Sequence, residues 1–295
     1  MSRIALPTLA VLALLAGACR VPLSEGLTSQ AGRSGDDHRA IDYRVYLPPG
    51  YESEPEARYP LLVWFHGGGE NEDGWGRRGR IGEIAHARMA SGNLQKFIVL
   101  APSAGSFTPI WFGYERRLIE QTIPEVQAAY RCNGTVVAFG HSMGGLSLLM
   151  VGLRNPDAFD AMCVASPFVF DTHAWETPER RRWFEQKFGS GGFVSRYRQN
   201  QRKYFDEFDQ FARWDPITLI RTRGGSVRLP PLLLTSGDRD NLGLWPHNLH
   251  LHELMLAHGI DHDWLPQPGV GHGTVEEPAL MRWLDLQARS ASAAR

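Results

Sequence analysis

The sequence predicts an α/β domain: a mostly parallel central sheet with helices on both faces and an inserted helical cap. Three observations carry this. Short apolar runs bounded by Gly and Pro alternate with longer amphipathic stretches, the rhythm of strands joined by helical crossovers. Runs such as Tyr59–Phe65 and 135–139 are apolar at nearly every position, as strands buried on both faces require. One segment, 171–215, breaks the rhythm with a density of aromatic residues too high for a disordered loop.

Taken in order, residues 1–19 read as a leader rather than fold. Arg3 is a short positive region, Ile4 to Leu15 are apolar, and Ala16, Gly17 and Ala18 lead into Cys19. The pattern resembles a bacterial lipobox with Cys19 as the lipidated residue, and a plain secretory signal cut near Ala18 is the alternative. Residues 20–39 are polar and rich in Ser, Gly and Asp, a flexible tether, so the folded body is expected from Ala40 to residue 295. Residues 41–47 alternate as a strand and stop at Pro48, Pro49 and Gly50. Tyr59–Phe65 and 97–101 are buried strands, 118–130 has helical spacing, and 135–139 is again a strand. An apolar helix follows over 146–153. Ala161–Ala165, 231–235 and 263–265 are the later strands, 254–258 lies on a helix, and 278–288 closes the chain as an amphipathic helix.

Composition narrows the function. With 295 residues, 43% of them hydrophobic, the chain has material for one sizeable core. A net charge of −1 argues against nucleic acid as a partner. Three cysteines are too few for a disulfide scaffold. Cys132 and Cys163 are the thiols of the body, and whether they pair depends on geometry. His247 and His250 have helical spacing that suits a metal. No carboxylate or cysteine completes a set, so a solvated helix face is the expectation for His247, His250, His252, His258 and His262.

Three strand ends carry the chemistry. Gly140-His141-Ser142-Met143-Gly144-Gly145 sits between a strand and a helix, the context of a nucleophile elbow. Glycines there remove Cβ atoms that would clash in so sharp a turn. His66-Gly67-Gly68-Gly69 follows the strand Tyr59–Phe65, and its N–H groups, at Gly67 and Gly68, together with that of Met143 suit an oxyanion hole. No Gly-Lys-Ser/Thr follows, so a phosphate loop is disfavoured. Gly237-Asp238-Arg239-Asp240 and Gly271-His272-Gly273 follow the late strands. A serine needs a histidine to take its proton, and the histidine needs a carboxylate to fix its tautomer. His272 fits the first role. Asp240 is favoured for the second, because Asp238 suits a turn or a pair with Arg239.

The chain resembles the α/β-hydrolase superfamily, and within it the esterase-D-like esterases, which include feruloyl and acetylxylan esterases. The resembling residues are Tyr46-Leu47-Pro48-Pro49-Gly50-Tyr51, Tyr59-Pro60 leading into His66 to Gly69, Asp73, Trp75, the elbow, Asn155 to Phe159, Gly237 to Asp240 and Gly271-His272. The resemblance spans about residues 41–288 apart from 171–215. It implies Ser142 as nucleophile, His272 as base and Asp240 as acid, in an exported serine carboxylesterase with no cofactor and no metal. Its substrate is expected to be a small-molecule or carbohydrate-linked ester, with membrane contact only through the lipid anchor. An acyltransferase or peptidase would use the same residues. A non-catalytic binding lipoprotein on the same fold is the reading from another class. In the cap, Trp175 and Trp183 are candidates for an acyl or aryl pocket, and Arg180, Arg181 and Arg182 for attracting an anionic substrate.

Overall fold

The computed structural model describes residues 26–77, 81–103, 113–170, 208–272 and 278–295, with Glu179, Arg182 and Gln186 between them. Among the described residues eight strands form one sheet: β1 (Ser29–Ser34), β2 (Ile41–Tyr46), β3 (Tyr59–Phe65), β4 (Ile98–Ser103), β5 (Cys132–His141), β6 (Ala161–Ala165), β7 (Leu232–Gly237) and β8 (Asp263–Gln267). The spatial order is β1-β2-β4-β3-β5-β6-β7-β8. β1, β2 and β4 pair antiparallel, and every pair from β4 across to β8 is parallel.

Alternation along the strands builds two cores. Leu61, Val63 and Phe65 face one side with Val136 and Ala138. Leu62, Trp64, Val137 and Phe139 face the other. The first core is closed by helices α2 (Tyr114–Arg117), α3 (Ile123–Ala129), α4 (Met143–Arg154), α6 (Pro216–Arg223) and α7 (Trp245–Ala257), through residues such as Val126, Leu148, Leu149, Ile217 and Leu251. A π-helical turn, Leu118–Thr122, joins α2 to α3. The second core is closed by α1 (Ile81–Ala90) and α8 (Pro278–Ala293), which contribute Ala85, Met89, Leu280 and Leu284. Helices therefore cover both faces, as the apolar strands demand.

The sequence reading of residues 20–39 as a tether is corrected in its second half, where 29–34 form β1. This edge strand has no apolar run to announce it. It is held by its ladder to β2 and by the Arg33–Asp42 pair at 2.6 Å, whose residues face each other in register. Gly32 lies opposite Tyr43, and a side chain there would collide with the tyrosine ring.

Cys132 and Cys163 are both free and buried. The register explains why: Cys163 lies opposite Phe139, so Cys132 stands seven positions back along β5, on the order of 23 Å away at strand spacing. Burial pushes the Cys132 thiol up to about 11.

Of the expected cap, 171–215, the described part includes α5 (Phe208–Ala212) and Asp215. Asp215 caps α6, its carboxylate accepting the Thr218 N–H at 2.8 Å and the Thr218 hydroxyl at 2.6 Å. Arg182 pairs with Glu179 at 3.0 Å, both well exposed. Trp175, Trp183, Arg180 and Arg181 lie outside the described residues, as do 1–19 with Cys19. No helix among the described residues is long and apolar enough to cross a membrane.

Candidate active site

β5 delivers the chain to Ser142 near the centre of the sheet, and α4 leaves from Met143. Ser142 has φ 58° and ψ −119°, a conformation that L-residues rarely adopt. Neighbouring backbone holds it there. The Ser142 N–H donates to the Ala165 carbonyl and the Phe168 N–H donates to the Ser142 carbonyl, each at 3.0 Å. The flanking glycines are required by contact. A Cβ on Gly140 would lie 2.4 Å from the Gly144 carbonyl oxygen, and one on Gly144 would lie 2.0 Å from that of Phe65.

The Ser142 hydroxyl lies 2.8 Å from His272 Nε2, and His272 Nδ1 lies 2.7 Å from Asp240 Oδ2. The carboxylate is an acceptor, so Nδ1 carries the proton. Nε2 then presents a lone pair to the serine hydroxyl. The Asp240 side chain is fully buried and His272 is 14% exposed. The second oxygen of Asp240 accepts the Leu242 N–H at 2.8 Å. Asp238 does not reach His272; it accepts the Gly269 N–H at 2.7 Å. The two loops that carry Asp240 and His272 are laced together. Asp238 N–H donates to the Gln267 carbonyl at 3.2 Å, and Arg239 N–H to that of Val270 at 3.0 Å. A residue not singled out from sequence joins them: His141 Nε2 donates to the His272 carbonyl at 2.7 Å, the two rings 4.9 Å apart. Its place beside the nucleophile was the only available signal.

The loop after β3 turns between Gly67 and Glu70. The Glu70 N–H donates to the Gly67 carbonyl at 3.2 Å, and Gly69 at φ 82° supplies the positive φ of a type II turn. Gly68 is exposed at its tip. The Gly67 N–H, expected as an oxyanion donor, is instead taken by Glu70 Oε2 at 3.1 Å, and Gly67 is buried. Gly68 and Met143 are the other two expected donors; Met143 is the first residue of α4, so its N–H has no carbonyl one helical turn before it. Below the turn, buried His66 donates Nδ1–H to the Gly67 carbonyl at 2.9 Å. Burial pushes the His66 pKa below its ordinary value.

The remaining histidines are not one solvated face. His247 is buried with its ring edge-on to Phe170 at 5.0 Å, because α7 turns that side toward the core. His250 contacts Arg221 at 3.0 Å, and His252 meets His262 at 2.8 Å while stacking on Trp264. Among the described residues no group of three or more His, Cys, Asp or Glu is arranged to hold a metal ion.

A mostly parallel sheet in this order, with a strand–turn–helix elbow at its centre, defines the α/β-hydrolase fold. The chain belongs to one family within it: the family model described as "Putative esterase" matches residues 35–258. An endo-1,4-beta-xylanase/feruloyl esterase of Xylanibacter ruminicola is 34% identical over 131 residues, 39% of this chain and 18% of that protein. The chain thus matches less than a fifth of that relative's length. Among solved structures, a ferulic acid esterase from Anaeromyces mucronatus, in complex with ferulic acid, superposes with a TM-score of 0.60 at 17% identity. That match covers 92% of this chain and 95% of the other. An S-formylglutathione hydrolase from Staphylococcus aureus gives 0.58 at 16% identity over 91% and 99%. At these identities the structural likeness is one of fold.

Proposed function

We propose that this protein is a serine carboxylesterase working through an acyl-enzyme. The observation that carries the proposal is the hydrogen-bonded line from Ser142 through His272 to buried Asp240. As Ser142 Oγ adds to the ester carbonyl carbon, its proton passes to His272 Nε2, and Asp240 stabilises the imidazolium through Nδ1–H. The carbonyl oxygen becomes an anion and accepts N–H groups from Gly68 and Met143, at the positive end of α4. Collapse breaks the bond to the alcohol, which leaves with the proton from Nε2. Water then adds to the acyl-enzyme with His272 as base, and the carboxylic acid departs.

The family membership supports ester hydrolysis, and the relatives' names support a substrate class. One is named a feruloyl esterase and one was solved with ferulic acid. The substrate proposed is therefore an aromatic or short acyl ester of a carbohydrate. Export, with lipid on Cys19, completes the proposal on the strength of the leader pattern in residues 1–19. The test is a panel of methyl ferulate, p-nitrophenyl acetate, acetylated xylan and S-formylglutathione, with released acid measured by chromatography. Turnover of the feruloyl or acetyl-sugar esters is expected. Turnover of S-formylglutathione alone would refute the substrate class, and no turnover of any would refute the esterase.

A further inference from the structure

The glycine turn is closed twice between the same two residues. The Glu70 N–H donates to the Gly67 carbonyl, and the Gly67 N–H donates to Glu70 Oε2, at 3.2 and 3.1 Å. A carboxylate that reaches back three residues to a backbone N–H, while its own N–H bonds the same residue, works as a capping box does at a helix start. Here the clasp spans a turn of three successive glycines, Gly67 to Gly69, a stretch with no side chains to restrain it. The turn tip is Gly68, the exposed donor assigned to the oxyanion hole. The base of the turn is fixed independently, by the His66 ring on the Gly67 carbonyl. A Cβ built on Gly67 would lie 3.5 Å from Glu70 Oε2 and 3.9 Å from His141 Nδ1, so the clasp sits against the elbow itself.

We propose that Glu70 is a positioning residue for the oxyanion hole: its carboxylate takes the Gly67 N–H out of the site and holds the turn so that the Gly68 N–H faces the reacting carbonyl. It acts through the backbone and touches no reacting atom. Its contribution belongs to the transition state, because a glycine turn free to rotate its peptide planes binds the neutral ester as before and stabilises the oxyanion less. The inference rests on the esterase reading for its kinetic consequence and on the turn alone for its structural one.

Two measurements test it. In steady-state hydrolysis, Glu70→Ala lowers kcat by about 10–100-fold with KM changed by less than about threefold. Glu70→Gln, whose amide oxygen still accepts the Gly67 N–H, recovers kcat to within about threefold of wild type. Hydrogen exchange of a peptide spanning residues 62–74 rises in Glu70→Ala and stays at the wild-type rate in Glu70→Gln. Should the alanine variant fail to fold, Glu70→Met removes the acceptor at similar length and carries the same expectations. Unchanged or increased kcat in the alanine variant, or a Gln variant as impaired as Ala, would overturn the proposal. If the wild-type protein hydrolyses no ester, the esterase reading fails. The exchange comparison then decides the clasp by itself, equal exchange in Ala and wild type overturning it.

Discussion

Replacing Asp240 by Asn changes one atom and should silence the site. The two carboxylate oxygens have separate duties, Oδ1 accepting the Leu242 N–H at 2.8 Å and Oδ2 facing His272 Nδ1 at 2.7 Å. The side chain is fully buried, so no water replaces either partner. An asparagine must keep its oxygen on the Leu242 N–H, since turning it would set donor against donor inside the protein at a cost of about 1–3 kcal/mol. Its NH2 group then faces His272 and demands a lone pair on Nδ1. The ring takes the other tautomer, with the proton on Nε2, and has nothing with which to accept the Ser142 proton. The expected loss in kcat is about 10³–10⁴-fold, with the fold intact. Asp238→Asn is the matched control. Its oxygen accepts the Gly269 N–H, which an amide oxygen also does, so its activity stays within about threefold of wild type. The assay is p-nitrophenyl acetate hydrolysis, with circular dichroism melts to confirm folding. A folded Asp240→Asn variant within tenfold of wild type, or a larger loss in Asp238→Asn, would refute the reasoning.

Further expectations follow from burial, capping and the leader. Burial lowers the His66 pKa below 6.5, so the unfolded chain binds the proton more tightly than the folded one. The stability His66 supplies is complete above pH 6.5 and is lost as pH falls through the folded pKa. Thermal melts should therefore show a fall in Tm from pH 7 to pH 5 that is smaller in His66→Gln than in wild type; an identical fall in both proteins contradicts this. Asp215→Ala removes the cap of α6 and should cost about 1 kcal/mol in urea unfolding with an unchanged m-value. No loss would mean that the Thr218 bonds contribute nothing. Cys19→Ser should abolish the lipid mass on protein from a bacterial host, and a wild-type protein without lipid would replace the lipobox with a plain secretory leader.

The sequence was most legible where side-chain chemistry and backbone geometry coincide. β3 and β6 are buried along their whole length, and an apolar run marks them at both ends. β5 runs from Cys132 to His141, longer than the expected 135–139, because its polar ends still bond to β3 and β6. β1 was hidden since an edge strand needs only a backbone ladder on one side. α7 holds 254–257 together with His247 and His250, the residues expected on a helix, and buried His247 and Asn248 interrupt its apolar stripe toward the start. α1 buries only one side chain per turn, Ile81, Ala85 and Met89, beside Gly82 packed on Trp75, a stripe too narrow to mark a helix in the sequence. At the site, the elbow glycines are constrained by contacts so close that the motif alone reveals them. The preference for Asp240 over Asp238 is readable from the sequence as loop chemistry; their backbone partners, the Leu242 N–H on Asp240 and the Gly269 N–H on Asp238, are not, since no residue pattern encodes them. The Glu70 clasp was visible only as a carboxylate three residues beyond a glycine.

The central claim, that Ser142 is the nucleophile, is tested most directly by fluorophosphonate labelling followed by peptide mass mapping. The account predicts one adduct per chain, on Ser142 Oγ, formed by the wild-type protein and absent from a folded Ser142→Ala variant. An adduct on another residue, or no adduct on a folded wild-type protein, would contradict it.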